Sequence, residues 1–217
     1  MNHSGTFTLP HDTSAPPATK SSWPGVVRHP PELVESYDGM VATLREFLDK
    51  LAGARPDAAT QAALTRDLAA WSERLATCAV DEHDQLFGRL VLQPGRGQTA
   101  SPQLFIDHQV EGELRGRVTF GRYFLGVNGA VHGGILPLLF DEVLGRAGAD
   151  PKQPRIRTAY LNTAFKALTP IDVELEVRGW LDRVEGRKRF VRGELRHGDV
   201  VCAEAEGLFV ELRPEQA

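Results

Sequence analysis

The sequence predicts an α+β protein in which one enclosed helix lies against a run of largely antiparallel strands, with helices ahead of it. Three observations carry this. Residues 133–146 hold a dense apolar helix opened by Pro137. Short alternating runs separated by glycine turns occupy most of the chain beyond residue 99. Residues 32–75 instead repeat their apolar positions at helical spacing. The expected layout is an arm over 1–31, a helical hairpin extension over 32–98, and a strand-rich domain over 99–217.

Met1 to about Pro31 is rich in Ser, Thr, Pro and His, with few apolar anchors, which fits an extended or disordered arm. His3 and His11 fall in it as solvated tail residues rather than metal ligands. Leu33, Val34, Tyr37, Met40, Val41, Leu44, Phe47, Leu48 and Leu51 then form one stripe, stopped near Gly53. Pro56 and Asp57 open a second helix, with Leu64, Leu68, Trp71 and Leu75 on one face. A stripe with Trp71 needs an apolar surface, so the hairpin is expected to pack on the following domain and shape access to it. Acidic residues outnumber basic ones between Glu32 and Asp84, which argues against a nucleic-acid surface.

Strands are expected over Leu104–Val110, Leu114–Phe120, Arg157–Lys166, Val173–Arg183, Arg189–Leu195 and Val200–Leu212. In the third, alternation puts Thr158, Tyr160 and Asn162 on one face and Ala159, Leu161 and Phe165 on the other. Glu185-Gly186 and His197-Gly198-Asp199 mark the later turns.

The helix carries the chemistry. Proline is tolerated only in a first turn, so the helix starts near Gly133 or Gly134, with backbone N–H groups free at its mouth. Such groups attract negative charge, and glycines let a ligand come close. Leu136, Leu138, Leu139, Phe140, Val143 and Leu144 cover nearly every side, which places Asp141 among apolar neighbours. A carboxylate there is costly unless paired or employed. Arg146 is its structural alternative as a partner, and Glu142 points about 100° away round the helix. Gly134 and Asp141 are seven residues apart, which separates them by roughly 10 Å along the axis. A single carbonyl group cannot touch both. If both serve one site, they come from two chains packed about a two-fold axis, so a homodimer with shared sites is expected, with a dimer of dimers as a larger form.

His132-Gly133-Gly134, six residues and then Asp141 resembles the signature of hotdog-fold acyl-CoA thioesterases of the phenylacetate-pathway and thioesterase-superfamily-member type. Thr158 to Asn162, Phe165-Lys166, Thr169-Pro170 and the ending Ala203 to Val210 resemble the following strand and last strand of those enzymes. The resemblance covers roughly the C-terminal half. It implies a hotdog, a sheet wrapped round the central helix, and hydrolysis of an acyl-CoA thioester. On that basis Gly133 and Gly134 hold the oxyanion, and Asp141 acts as general base or nucleophile. Thr158 orients the water or the carboxylate. His132, just before the helix, is expected to shape the turn or hydrogen-bond the backbone rather than act as base. His132 and Asn128 are the candidate substrate contacts, although some related enzymes place an asparagine slightly further upstream, where this chain has Gly126. Arg187 and Lys188, in the turn Gly186-Arg187-Lys188-Arg189, are candidates for the coenzyme A phosphates, with Arg155 and Arg157 in reserve.

No cofactor or metal is expected. Cys78 and Cys202 lack ligand spacing. A net charge of −4 gives no general pull toward nucleic acid or anionic membrane, and no apolar run is long enough to span a bilayer. A cytoplasmic protein is the expectation. The alternative function is a non-catalytic acyl-CoA sensor on the same fold. A hotdog hydratase would need a histidine after Asp141 within the helix, which the sequence lacks.

Overall fold

A computed structural model describes residues 29–150 and 155–213. The expected arm, with His3 and His11, lies almost wholly outside the described residues. The first helix, α1 (Pro31–Ala52), has a proline at its start, Glu32 in its first turn and Lys50 in its last, matching the helix dipole at both ends. The second, α2 (Ala58–Ala76), is capped by Asp57, whose Oδ1 accepts the Thr60 N–H at 2.8 Å. The central helix is α3 (Ile135–Gly148), with Gly134 as its N-cap and Pro137 in its first turn. None of the described helices is long and apolar enough to cross a membrane.

Six strands make up the rest: β1 (Leu104–Val110), β2 (Glu113–Thr119), β3 (Ile156–Phe165), β4 (Glu174–Glu185), β5 (Lys188–His197) and β6 (Val200–Glu211). They form one sheet in the order β1-β2-β4-β5-β6-β3, antiparallel at every pairing. Between β2 and β3 the chain passes through α3, and β3 comes down at the far edge. The sheet therefore wraps the helix, as in a hotdog. Its outer face is laced with ion pairs, such as Arg117 with Asp107 and Glu174.

The core lies between α3 and the concave face. Phe140, Val143 and Leu144 are fully buried against Leu114, Leu175, Leu195 and Phe209. Gly179 and Gly193 sit opposite each other in the β4–β5 register. A Cβ on the first would fall 2.9 Å from Val143, and on the second 2.8 Å from Leu144, so the glycines form a trough that admits the helix.

Two expectations change here. The helix is not covered on every side, because Leu138 is 46% exposed and Asp141 is exposed with it. Gly134, Leu138 and Asp141 recur at spacings that align them on one bare face of α3. The apolar count pointed to enclosure because it includes Leu138, which this chain by itself does not cover. The expected hairpin also separates into two unlike helices. On α1, Val41 is buried, and the helix rests on the 3-10 turn Arg122–Phe124. Nothing on α2 is buried, and Leu68, Trp71 and Leu75 are 49%, 55% and 60% exposed.

Candidate active site

The mouth of α3 is built by a short hairpin. Ala130 N–H donates to Val127 O at 2.9 Å, while Asn128 and Gly129 take φ of 53° and 72°. Positive φ at both central residues is the type I′ turn that favours Asn-Gly. The backbone thus accounts for Asn128, whose side chain makes no hydrogen bond among the described residues. At Gly126, a Cβ would press to 3.0 Å from His132 Cα, so a larger residue there would need the His132 backbone to give way. The hairpin closes through the Leu125–Val131 bridge and the His132 N–H, which donates to Phe124 O at 2.8 Å.

At the mouth itself, the two glycines differ. Gly134 N–H donates to His132 Nδ1 at 3.1 Å. Nδ1 accepts only without a proton, so this contact requires neutral His132 with its hydrogen on Nε2. Gly133 N–H has no partner among the described residues, and a Cβ at Gly133 would touch the Phe165 ring at 3.5 Å. The expectation of two free N–H groups is thereby corrected to one, because the imidazole folds back over the turn.

Midway along α3, Asp141 Oδ1 accepts a hydrogen bond of 2.8 Å from Thr158 Oγ1. A one-residue shift in the β3–β6 register makes this possible. Thr158 pairs with Phe209 and Tyr160 with Leu208, leaving Ala159 as a bulge. Phe209 faces α3, where a Cβ on Gly145 would meet it at 3.6 Å, so Thr158 faces α3 and Tyr160 points outward. The expected grouping of Thr158 with Tyr160 and Asn162 fails because strict alternation cannot register an extra residue.

Glu142, beside Asp141, points elsewhere. It pairs with Arg146 at 2.6 Å and with Arg96 at 3.2 Å, and Arg146 reaches Val91 O. Arg146 therefore serves Glu142 rather than Asp141. This network pins residues 91–96 to the second half of α3, and no motif in the sequence announced it.

The expected cations divide. Arg189 is buried, bonded to Glu211 and Gly148 O, and Arg187 donates to Glu211 O at 2.9 Å. Both fasten the β4–β5 turn to the end of β6. Lys188 and Arg157 are exposed and flank Val210 on the outer face, one row beyond the Thr158 row. The Arg155 carbonyl accepts from Leu212 N–H at 2.7 Å. No group of three or more His, Cys, Asp or Glu among the described residues could hold a metal. A cleft of about 690 Å³ runs between α1 and Arg122 and Asp172, but it contains none of Gly133, Asp141 or Thr158.

This is a hotdog whose central helix opens at a Gly133 N–H without a partner among the described residues and, two turns on, carries a carboxylate held by Thr158. No family model matches the chain. The crystal structure of a thioesterase superfamily protein is 30% identical and superposes with a TM-score of 0.69, covering 80% of this chain and 94% of that one. The chain belongs to the thioesterase superfamily. It is also similar to acyl-coenzyme A thioesterase THEM4 of Bos taurus, 35% identical over 45% of this chain and 40% of that protein. Acyl-coenzyme A thioesterase THEM5 of Homo sapiens is 31% identical over 44% of this chain and 39% of that protein. The chain thus spans about two fifths of the length of these curated relatives.

Proposed function

We propose that the protein is an acyl-CoA thioesterase that works as a pair of chains, hydrolysing a fatty or aryl acyl-CoA to the free acid and coenzyme A. The observation that carries this is the Thr158–Asp141 hydrogen bond on the bare face of α3. A carboxylate held by a hydroxyl and left accessible is poised to take a proton from water or to attack a carbonyl. Similarity to proteins named acyl-coenzyme A thioesterase supports an acyl-CoA as the substrate class.

In this scheme the thioester oxygen meets Gly133 N–H as it gains charge, and Gly134 N–H joins once His132 Nδ1 releases it. Such a donor is worth roughly 3 to 4 kcal/mol of barrier. The carboxylate comes from a second copy, because Asp141 of the same chain lies seven residues and about 10 Å down the helix. Pairing the bare α3 faces would cover Leu138 and bring each Asp141 toward the other chain's helix mouth. Of the cations expected to meet the coenzyme phosphates, Lys188 and Arg157 are exposed with no side-chain partner among the described residues and take that role.

Acyl-CoAs of graded chain length, with released thiol measured, test the activity. Asp141→Asn keeps the shape and loses the basicity, so the rate should fall by about 100-fold or more. A variant within a few-fold of the parent sinks the assignment. Mixing Asp141→Asn chains with Gly133→Val chains tests the shared site. Random exchange leaves one intact site in half the dimers, so activity should return toward about a quarter of the parent's. No recovery despite demonstrated exchange would refute sharing.

A further inference from the structure

We propose that Asp49, on the N-terminal helix α1, is a positioning residue for the mouth of α3, so that the N-terminal segment sets the geometry in which the thioester oxygen is held. The inference rests on the thioesterase function proposed above only for what the mouth does, not for how it is braced.

The connection is a short chain of hydrogen bonds. Asp49 Oδ1 accepts the Tyr123 N–H at 2.8 Å. Tyr123 lies in the 3-10 turn closed by Phe124 N–H to Gly121 O at 3.1 Å and Leu125 N–H to Arg122 O at 3.0 Å. From the end of that turn, Phe124 O receives the His132 N–H at 2.8 Å. His132 is joined directly to Gly133 and accepts the N–H of Gly134. The carboxylate on α1 is therefore two hydrogen bonds and one rigid turn away from both mouth amides.

The seam is shaped for that carboxylate. A Cβ on Gly121 would fall 2.3 Å from Asp49 Oδ2, so a larger residue there would crowd the carboxylate out of this place. One helical turn earlier, Arg45 donates to Gln98 O and, at 2.9 Å, to Ser101 O, which fixes α1 against the domain from a second point. Neighbouring Glu46 instead pairs with Lys50 in solvent, so contact with the turn belongs to Asp49 and not to acidity of the helix in general. The N-terminal segment also belongs to the solved relative. A match over 80% of 217 residues is about 174, more than the 119 residues from 99 to 217 can supply.

The test compares Asp49→Ala, Asp49→Asn and Gly121→Ala in the full chain, with circular dichroism to check folding. Asparagine keeps an oxygen for the Tyr123 N–H, whereas alanine has none. Asp49→Ala should lower kcat about tenfold or more while KM moves less than about threefold, and Asp49→Asn should restore most of the rate. The amide NMR signals of Gly133 and Gly134 should shift in Asp49→Ala and stay near parental positions in Asp49→Asn. Gly121→Ala crowds the Asp49 carboxylate out of its place without removing a polar group, and should move the same signals even if Asp49→Ala does not fold. Parental kcat and amide signals in Asp49→Ala, or equal losses in the Ala and Asn variants, would overturn the proposal. If the parent hydrolyses no acyl-CoA, the activity assignment falls, and the amide signals alone still decide whether Asp49 positions the mouth.

Discussion

Helices α1 and α2 carry similar apolar stripes, yet the fold treats them differently. Besides burying Val41, α1 sends two polar side chains into the domain, Arg45 to the carbonyls of Gln98 and Ser101 and Asp49 to the Tyr123 amide. Burial pulls the Arg45 guanidinium below its ordinary value, and Asp38, Asp49 and Tyr123 oppose that pull. On α2 the polar side chains serve only their own helix. Asp57 caps it, while Thr65, Ser72 and Thr77 donate back to Gln61 O, Leu68 O and Arg74 O. Amphipathicity thus makes a helix eligible to dock. Polar groups that find backbone partners on the neighbour decide where it docks.

Three substitutions would break or sharpen this contrast. Arg45→Ala has the largest expected effect, about 2 kcal/mol of stability by urea unfolding, because two part-buried carbonyls lose their charged donor. A change near zero would show that apolar contact alone holds α1. Asp57→Ala should cost about 1 kcal/mol of helix stability, seen as lost far-UV dichroism with the main unfolding transition unmoved. If the main transition moves with it, α2 unfolds together with the domain and the two helices are less distinct than they look. Trp71→Ala should change stability by less than about 0.5 kcal/mol in dilute solution. A larger loss that grows with protein concentration would mean a second copy covers the α2 stripe.

Much of the fold was legible. All six strands fall within about two residues of the expected bounds, because alternation and glycine turns are local signals that the sheet obeys. The helix start was legible through Pro137 for the same reason. What escaped depended mostly on contacts that alternation does not encode. Enclosure of Asp141 was inferred from apolar residues along α3, but such a count does not show that the face with Leu138 and Asp141 is left bare. Arg187, a candidate for the coenzyme phosphates, instead donates to Glu211 O, twenty-four residues on. The backbone contact of His132 was legible from its place just before the helix, and the structure gives its partner as the Gly134 N–H. Asn128-Gly129 is itself the sequence of a type I′ hairpin turn, so the backbone accounts for the asparagine without a ligand.

The bulge at Ala159 also bears on how this protein should be compared with its kin. Thr158 and Tyr160 are matched to Phe209 and Leu208, adjacent residues of β6, so the partner strand counts them as neighbours. Splicing out Ala159 would therefore leave Thr158 turned toward the helix and Tyr160 turned toward solvent, with the ladder made regular between them. Length and facing are uncoupled at this point of β3. A relative shorter by one residue here has not lost its inward hydroxyl, and an alignment that closes the gap by sliding the strand would misplace Thr158 by a full face. The gap belongs at the bulge, and aligned there the hydroxyl that serves Asp141 keeps its counterpart.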